Sequence, residues 1–554
     1  MKNQITGRSA FLALLKDEGV SHLFGNPGTT ELPVMDALSE HPDMEYVMAM
    51  QESIVVYMAD GFSRASGKLS ACNVHVAPGL GNAMGAIYTA KFSGTPIIIT
   101  AGQQEQGHGL MEPLLYDPLV PIAEPLVKWA VEVTRLEDLP RIVHRAAKIA
   151  TTPPTGPVFI SLPGDILNME DAIELGSRTR VDAATRPSDS ALKRLATRLL
   201  AAENPVIIAG TEIATSHAFA EAAAFAETLG APVYQQTVPH GAHFPSEHPA
   251  FVGSLGREQP QVRKILADHD LLVVLGADVL RMSVWSEIDA LPDDMKIVHI
   301  AQRDWELGKN YPTEIAVRAD VRETLAVLTP ILSDMASSSQ TAKAAERLTA
   351  VAAYNWTKKR AALIEDLQNR GVERPIYSSY LMHRIVENLP ANAVVVDEGI
   401  LSTKDLHALL PFRDPQGFFG LPSGGIGWGL PAAIGIQMAL PDRPVTAIIG
   451  DGSAMYSIQA LWTAAHKKLP ITYVIPNNGG YRIIRQRLKA FHGNENFVGM
   501  KFEDPPVNYS ELAQSLGVPA RAVTDPAEID SALQEAYDRD GPSLIEVFVE
   551  RGPE

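Results

Sequence analysis

Two glycine-rich turns, each closing an apolar run, constrain this chain more than any other feature. Val445 to Ile449 leads into Gly450-Asp451-Gly452-Ser453, and Ile471 to Ile475 leads into Pro476-Asn477-Asn478-Gly479-Gly480-Tyr481. Between them Ile458, Leu461, Trp462 and Ala465 recur at helical spacing, which predicts an amphipathic helix with that stripe inward. Strand, turn, helix, strand, turn is a βαβ unit. Its strands run parallel, so both turns open at the carboxyl edge of the sheet. There an Asp carboxylate and an Asn carbonyl are hard oxygen donors, suited to Mg²⁺ or Ca²⁺ that also grips phosphates. The flanking glycines let backbone N–H groups approach a diphosphate.

A chain of 554 residues exceeds one core and predicts about three domains. A net charge of −18 argues against a nucleic-acid or anionic-membrane partner. The single cysteine, Cys72, excludes a disulfide framework and a Cys-cluster metal site, and its apolar setting predicts a buried, inert thiol. The start of the chain shows no signal-peptide core, and no run approaches the ~18 apolar residues of a membrane span. A cytoplasmic protein is the expectation.

The first third repeats strand-then-helix units, the mark of a parallel α/β sheet. Thr6 is placed to cap a first helix. Val20–Phe24, Tyr46–Met50, Ser70–Val76 and Pro96–Ala101 read as strands, which puts Thr29, Glu52 and His75 at or near carboxyl ends. Ligands bind at that edge of open parallel sheets. Leu167 to Asp189 reads as a linker, and Asp334 to Ala345 as a second linker or helix entry. The region between has no glycine loop placed for a nucleotide, and no flavin is expected. His240, His243 and His248 lie among prolines without a metal-ligand frame, which favours a solvated loop over a metal site.

The Gly-Asp-Gly turn, positions 453–476 and then Asn477-Asn478 together resemble the metal–diphosphate signature of the thiamine diphosphate-dependent enzymes. Gly25-Asn26-Pro27-Gly28-Thr29-Thr30-Glu31-Leu32-Pro33, Gln51-Glu52, Gly81-Asn82-Ala83-Met84-Gly85-Ala86, Ala101-Gly102-Gln103-Gln104 and Ser423-Gly424-Gly425-Ile426-Gly427-Trp428-Gly429 are similar to the benzoylformate decarboxylase branch of that family. The resemblance implies an α/β fold with three doubly wound parallel-sheet domains: pyrimidine-binding (1–170), central (188–335) and diphosphate- and metal-binding (360–554). It implies decarboxylation of a 2-oxo acid to an aldehyde and CO₂. It further implies at least a homodimer, with a homotetramer as the expected form.

By the same resemblance Asp451, Asn478 and the Gly480 carbonyl hold the metal. Asn26, Pro27, Glu398, Ser402, Gly450, Gly452, Ser453 and Tyr481 belong to the cofactor site. The Gly424 carbonyl meets the pyrimidine amino group, and Ile426 lies beneath the two rings. Thiamine diphosphate becomes a nucleophile only when its thiazolium C2 loses a proton. Its own aminopyrimidine takes that proton when a carboxylate on the opposite ring nitrogen favours the imine tautomer. Glu52 fits that role, reaching the cofactor of a neighbouring chain. Thr29 orients the substrate carboxylate and His75 assists protonation.

The pocket departs from the family pattern. Ser283 stands where a second active-site histidine is expected, and serine does not titrate as imidazole does. His108 is the candidate substitute. Ile400 and Leu401 replace hydroxyls after Glu398, leaving Ser402 and Thr403. Leu114, a bulky Ile483 in place of a small residue, and Arg487 in place of an aromatic complete the expected lining. Arg482, Arg485 or Arg487 would meet an anionic substrate tail, or else lie as exposed helix charges. Two alternatives remain: a carboligase or lyase of acetolactate-synthase type, and a catalytically silent cofactor-binding paralogue.

Overall fold

The computed structural model describes residues 3–282 and 284–552. Its backbone is built on three parallel sheets. The first takes β1 (His22–Gly25), β2 (Glu45–Met48), β3 (Ser70–Val74), β4 (Ile97–Gln103), β5 (Ala130–Glu132) and β6 (Val158–Pro163) in the order β2-β1-β3-β4-β6-β5. The second takes β7 (Pro205–Ala209), β8 (Val233–Gln235), β9 (Phe251–Ser254), β10 (Leu271–Leu275), β11 (Lys296–Ala301) and β12 (Ile315–Arg318) in the order β9-β8-β7-β10-β11-β12.

The third runs β13-β14-β15-β17-β16, from β13 (Val394–Glu398), β14 (Val445–Ile449), β15 (Ile471–Asn477), β16 (Ala520–Val523) and β17 (Ser543–Phe548). This is the order of the first sheet once its edge strand β2 is set aside. Every residue of β3, β4, β6, β10 and β14 is buried, as strands covered by helices on both faces require.

The backbone gathers into two units. One contains the described residues of 1–181, 390–402 and 421–554, and so holds the first and third sheets. The other contains 182–389 and 403–420, around the second sheet. In the first unit α1 (Gly7–Asp17) starts where Thr6 Oγ1 accepts from the Ser9 amide at 3.3 Å. Cys72 is wholly buried in β3, and burial pushes its thiol well above the usual range. No described helix is long and apolar enough to cross a membrane.

Helix α2 (Glu52–Ser66) crosses α4 (Gly429–Ala439) at backbone contact, while α3 (Val76–Ser93) packs along α2. A Cβ on Gly61 would stand 2.3 Å from the Ala432 carbonyl, and one on Gly435 would stand 2.0 Å from that of Met58. Buried Asp60 locks the crossing: its carboxylate accepts from Trp428 Nε1 at 2.7 Å and from Thr95 Oγ1 at 2.6 Å. Gly435→Ala is therefore expected to lower stability by about 1–3 kcal/mol through overpacking against backbone, read by thermal or urea unfolding.

Two expectations give way, and a third is decided between its two readings. The stripe at Ile458, Leu461, Trp462 and Ala465 assumed one helix, but the segment forms Asp451–Ala454 and then Ala460–His466. That break rotates the register: Ala460, Leu461, Thr463 and Ala464 are buried, whereas Ile458, Trp462 and Ala465 are half-buried. Of the two readings of residues 334–345 the helix entry holds: Val321–Met335 ends, and Ser337 and Gln340 form a capping box that starts Ser338–Ala352. The histidines are not on a solvated loop. His240 and His243 are buried, sharing Thr211 Oγ1 at 3.0 and 3.4 Å, and His248 is half-buried.

Candidate active site

The carboxyl ends of β14 and β15 build one cradle. Asp451 follows β14 and is 2% exposed. Its Oδ1 accepts from the Gly452 amide at 2.9 Å, and its Oδ2 from the Asn478 amide at 3.1 Å and the Gly480 amide at 2.9 Å. Burial raises the Asp451 pKa from its ordinary value, and these amide bonds pull it partly back.

Asn478, just past β15, turns its Nδ2 to Asp451 Oδ1 at 3.3 Å and to Ser402 Oγ at 3.5 Å. Its Oδ1 is buried without any hydrogen-bond partner. An orphaned amide oxygen beside a buried carboxylate is a donor set for a hard divalent cation. The turn admits no side chain at two glycines. A Cβ on Gly480 (φ +144°) would lie 2.3 Å from the Met500 carbonyl, and one on Gly452 would lie 2.7 Å from the Tyr481 ring. Gly450 and Ser453 complete the buried floor, and Ser402 is buried beside it. These residues fit a metal–diphosphate group.

Glu398 closes β13 with a wholly buried carboxylate. It accepts from the Gly427 and Gly429 amides at 2.5 Å each and also from the Trp428 amide. Its side chain thus sets the loop that carries Gly424 and half-buried Ile426. Both oxygens are engaged by the chain's own backbone, so the carboxylate orders that loop. Ser423 Oγ anchors the same loop to Thr89 at 2.9 Å and to the Gly425 amide at 3.1 Å.

Burial pushes the Glu398 pKa up to about 7, against backbone bonds that lower it. The folded state therefore holds this proton where the unfolded chain, near 4.5, has released it. The group's contribution to stability is full below about 4.5 and is lost as pH rises through about 7. Glu398→Gln should remove that share of the slope, about 3 kcal/mol across the window, in urea unfolding at successive pH values.

The second cluster lies on the first sheet. Glu52 opens α2 and is 6% exposed. Its Oε1 accepts from Asn26 Nδ2 at 3.1 Å and its Oε2 from Asn82 Nδ2 at 3.0 Å. Gly79 leaves no Cβ to cover it, since one would stand 3.0 Å from Oε1. His75 caps α3 at the end of β3, and its Nδ1 is 2.7 Å from Glu31 Oε2. Glu31 is buried and also accepts from the Gly28 amide at 3.0 Å, Thr30 Oγ1 at 2.8 Å and the Gly102 amide at 2.9 Å. A carboxylate on Nδ1 orients the ring and leaves Nε2 for another partner. Gly28 is obligatory, because a Cβ there would lie 2.0 Å from His75 Nδ1.

The sequence assigned Glu31, Asn82 and Asp60 no role. Glu31 and Asn82 stood inside quoted motifs, and a Glu within a glycine-flanked strand-end turn was the available signal. Thr29 is exposed on the Thr29–Glu31 turn, Pro27 is exposed and Asn26 half-buried. His108 is exposed on the Gln106–Met111 turn, and Leu114 is 85% exposed beyond it. Tyr481 sets its ring edge-on against Phe502 at 4.9 Å. Ile483 and Arg487 are half-buried on α5 (Arg482–His492). Arg482 and Arg485 are buried, contrary to the exposed alternative, because both bind the C-terminal segment. Ser283 lies outside the described residues.

Three family models match in order: the N-terminal TPP-binding domain of thiamine pyrophosphate enzymes over residues 5–113, their central domain over 192–328 and their C-terminal TPP-binding domain over 381–547. Benzoylformate decarboxylase of Pseudomonas aeruginosa is 32% identical over 545 residues, covering 98% of each chain. Acetolactate synthase isozyme 1 large subunit of Escherichia coli is 29% identical, covering 99% of this chain and 95% of its own. The solved structure of thiamine diphosphate-dependent 4-hydroxybenzoylformate decarboxylase from Rhodococcus jostii superposes with a TM-score of 0.87 at 31% identity, covering 99% of both. Cradle, clamp and carboxylate thus sit in a chain that matches along nearly its whole length: it belongs to the thiamine pyrophosphate enzyme family.

Proposed function

We propose that this protein is a thiamine diphosphate-dependent 2-oxo acid decarboxylase, in which R–CO–COO⁻ and one proton give R–CHO and CO₂. The observation that carries this reading is the Glu31-held His75, an imidazole with Nε2 left free on the same sheet edge as buried Glu52. Bound thiamine diphosphate supplies a thiazolium carbon that adds to the 2-oxo group and accepts the electron pair that departing CO₂ leaves.

Asp451, Asn478 Oδ1 and the Gly480 carbonyl would hold Mg²⁺ or Ca²⁺. Gly450, Gly452, Ser453, Ser402 and Tyr481 would surround the diphosphate. Gly424 and Ile426 would meet the rings, held in place by Glu398. Glu52 would accept a hydrogen bond from the pyrimidine nitrogen. Asn26 and Pro27 would belong to the cofactor site and Thr29 would orient the substrate carboxylate, while His75 Nε2 delivers the proton that completes the aldehyde. His108, Leu114 and Ile483 would line the pocket. Residues 1–170, 188–335 and 360–554 are read as pyrimidine-binding, central and diphosphate-binding domains.

Leu110 at 97% and Met111 at 77% exposure supply apolar surface for a second copy, in line with a homodimer at minimum, and the family resemblance extends this to a homotetramer. A second reading, favoured by the acetolactate synthase relative, keeps every cofactor contact and passes the bound fragment to a second carbonyl. Incubation of the holoenzyme with a panel of 2-oxo acids, with and without an added aldehyde, tests both. Free aldehyde and CO₂ support decarboxylation, 2-hydroxyketone supports the second reading, and no CO₂ from any acid defeats both.

A further inference from the structure

Helix α5 grows directly out of the cradle, starting one residue after Tyr481, and carries three arginines. Two of them hold the fold. Arg482 pairs with Glu550 Oε1 at 3.0 Å and donates to the Glu550 carbonyl at 3.1 Å. Arg485, 1% exposed, donates to the carbonyls of Arg551 at 2.8 Å and Asn478 at 3.4 Å.

Arg487 differs. It is half-buried, yet it makes no hydrogen bond or ion pair with any described residue. On α5 and the segments that follow it, Glu495 pairs with Lys489, Glu503 with Arg551 and Lys501, and Glu550 with Arg482. In a chain with 65 acidic and 47 basic residues, a partly desolvated guanidinium without a carboxylate is conspicuous. Burying part of a cation without a partner costs free energy that a bound anion recovers.

Position fits that use. Arg487 lies four residues after Ile483, so the two share one flank of α5, turned away from Arg482 and Arg485. At ~1.5 Å per residue, Arg487 stands about 7–8 Å along the helix from its first residue, Arg482, with Ile483 between them. The flank therefore offers an apolar wall near the cradle and a positive charge beyond it.

Resting on the decarboxylase reading, we infer that Arg487 is a specificity-determining residue. It selects 2-oxo acids that carry a second anionic group at the end remote from the 2-oxo carbon. The charge does not suit the reacting carboxylate, because a cation there favours the ground state and loses its partner as neutral CO₂ leaves. At the remote end the contact persists throughout the reaction and contributes equally to ground and transition states.

The test uses full-length holoenzyme loaded with thiamine diphosphate and Mg²⁺. kcat/KM is measured for 2-oxoglutarate and 2-oxoadipate against 2-oxopentanoate and phenylglyoxylate, in wild type, Arg487→Gln and Arg487→Lys. Wild type should prefer a dicarboxylate. Arg487→Gln should lower the ratio of dicarboxylate to neutral-tailed kcat/KM by about 10–100-fold, chiefly through KM, and Arg487→Lys should restore part of it. Wild type preferring the neutral-tailed acids, or Arg487→Gln lowering all four acids alike, overturns the inference and leaves the decarboxylase reading standing. No CO₂ from any acid in wild type instead removes that reading and the inference with it.

Discussion

Glu52→Gln is expected to lower turnover of a 2-oxo acid by about 10²–10⁴-fold while the protein still folds and binds its cofactor. The side chain is nearly buried, and its two oxygens accept from Asn26 and Asn82. A glutamine fills the same volume and keeps one of those acceptors. What it loses is the negative charge and the strong acceptor that would favour the imine form of the pyrimidine. CO₂ release measured beside the unfolding midpoint separates the outcomes. Unchanged turnover removes Glu52 from the chemistry, and a collapsed midpoint makes it a structural residue.

Asn478→Ala should raise the apparent Kd for thiamine diphosphate at fixed Mg²⁺ by about 100-fold or more. The substitution deletes the orphaned Oδ1 and spares the Asn478 amide that bonds Asp451 Oδ2. It is therefore a cleaner probe than Asp451→Ala, which would also strand the amides of Gly452, Asn478 and Gly480. Thermal unfolding provides the readout. Cofactor plus Mg²⁺ should raise the wild-type melting temperature and leave the variant near its apo value, and a chelator should abolish the wild-type rise. An equal rise in both proteins would place the metal elsewhere.

The two turns after β14 and β15 were legible because apolar strands end abruptly at Gly-Asp-Gly and Asn-Asn-Gly, so chain order alone put Asp451 and Asn478 on one edge. Thr6 as a helix cap and the buried strands were legible for the same local reason. The misplaced stripe shows the limit of periodicity: the break between Ala454 and Ala460 is invisible to a helical wheel, yet it leaves Trp462 only half-buried. The buried His240 and His243, and the buried Arg482 and Arg485, depend on what folds over them, namely Thr211 and the segment Glu550–Arg551. No local pattern encodes such a cover. Glu31 was hidden differently, since its partners His75 and Gly102 lie far along the chain.

Proton–deuterium exchange at C2 of bound thiamine diphosphate tests the central claim most directly. It reads activation of the cofactor before any substrate is chosen. Exchange quenched and followed by NMR should be fast in the wild-type holoenzyme and fall by about 10²-fold or more in Glu52→Gln. Equal rates in the two proteins, at equal cofactor occupancy, would contradict it.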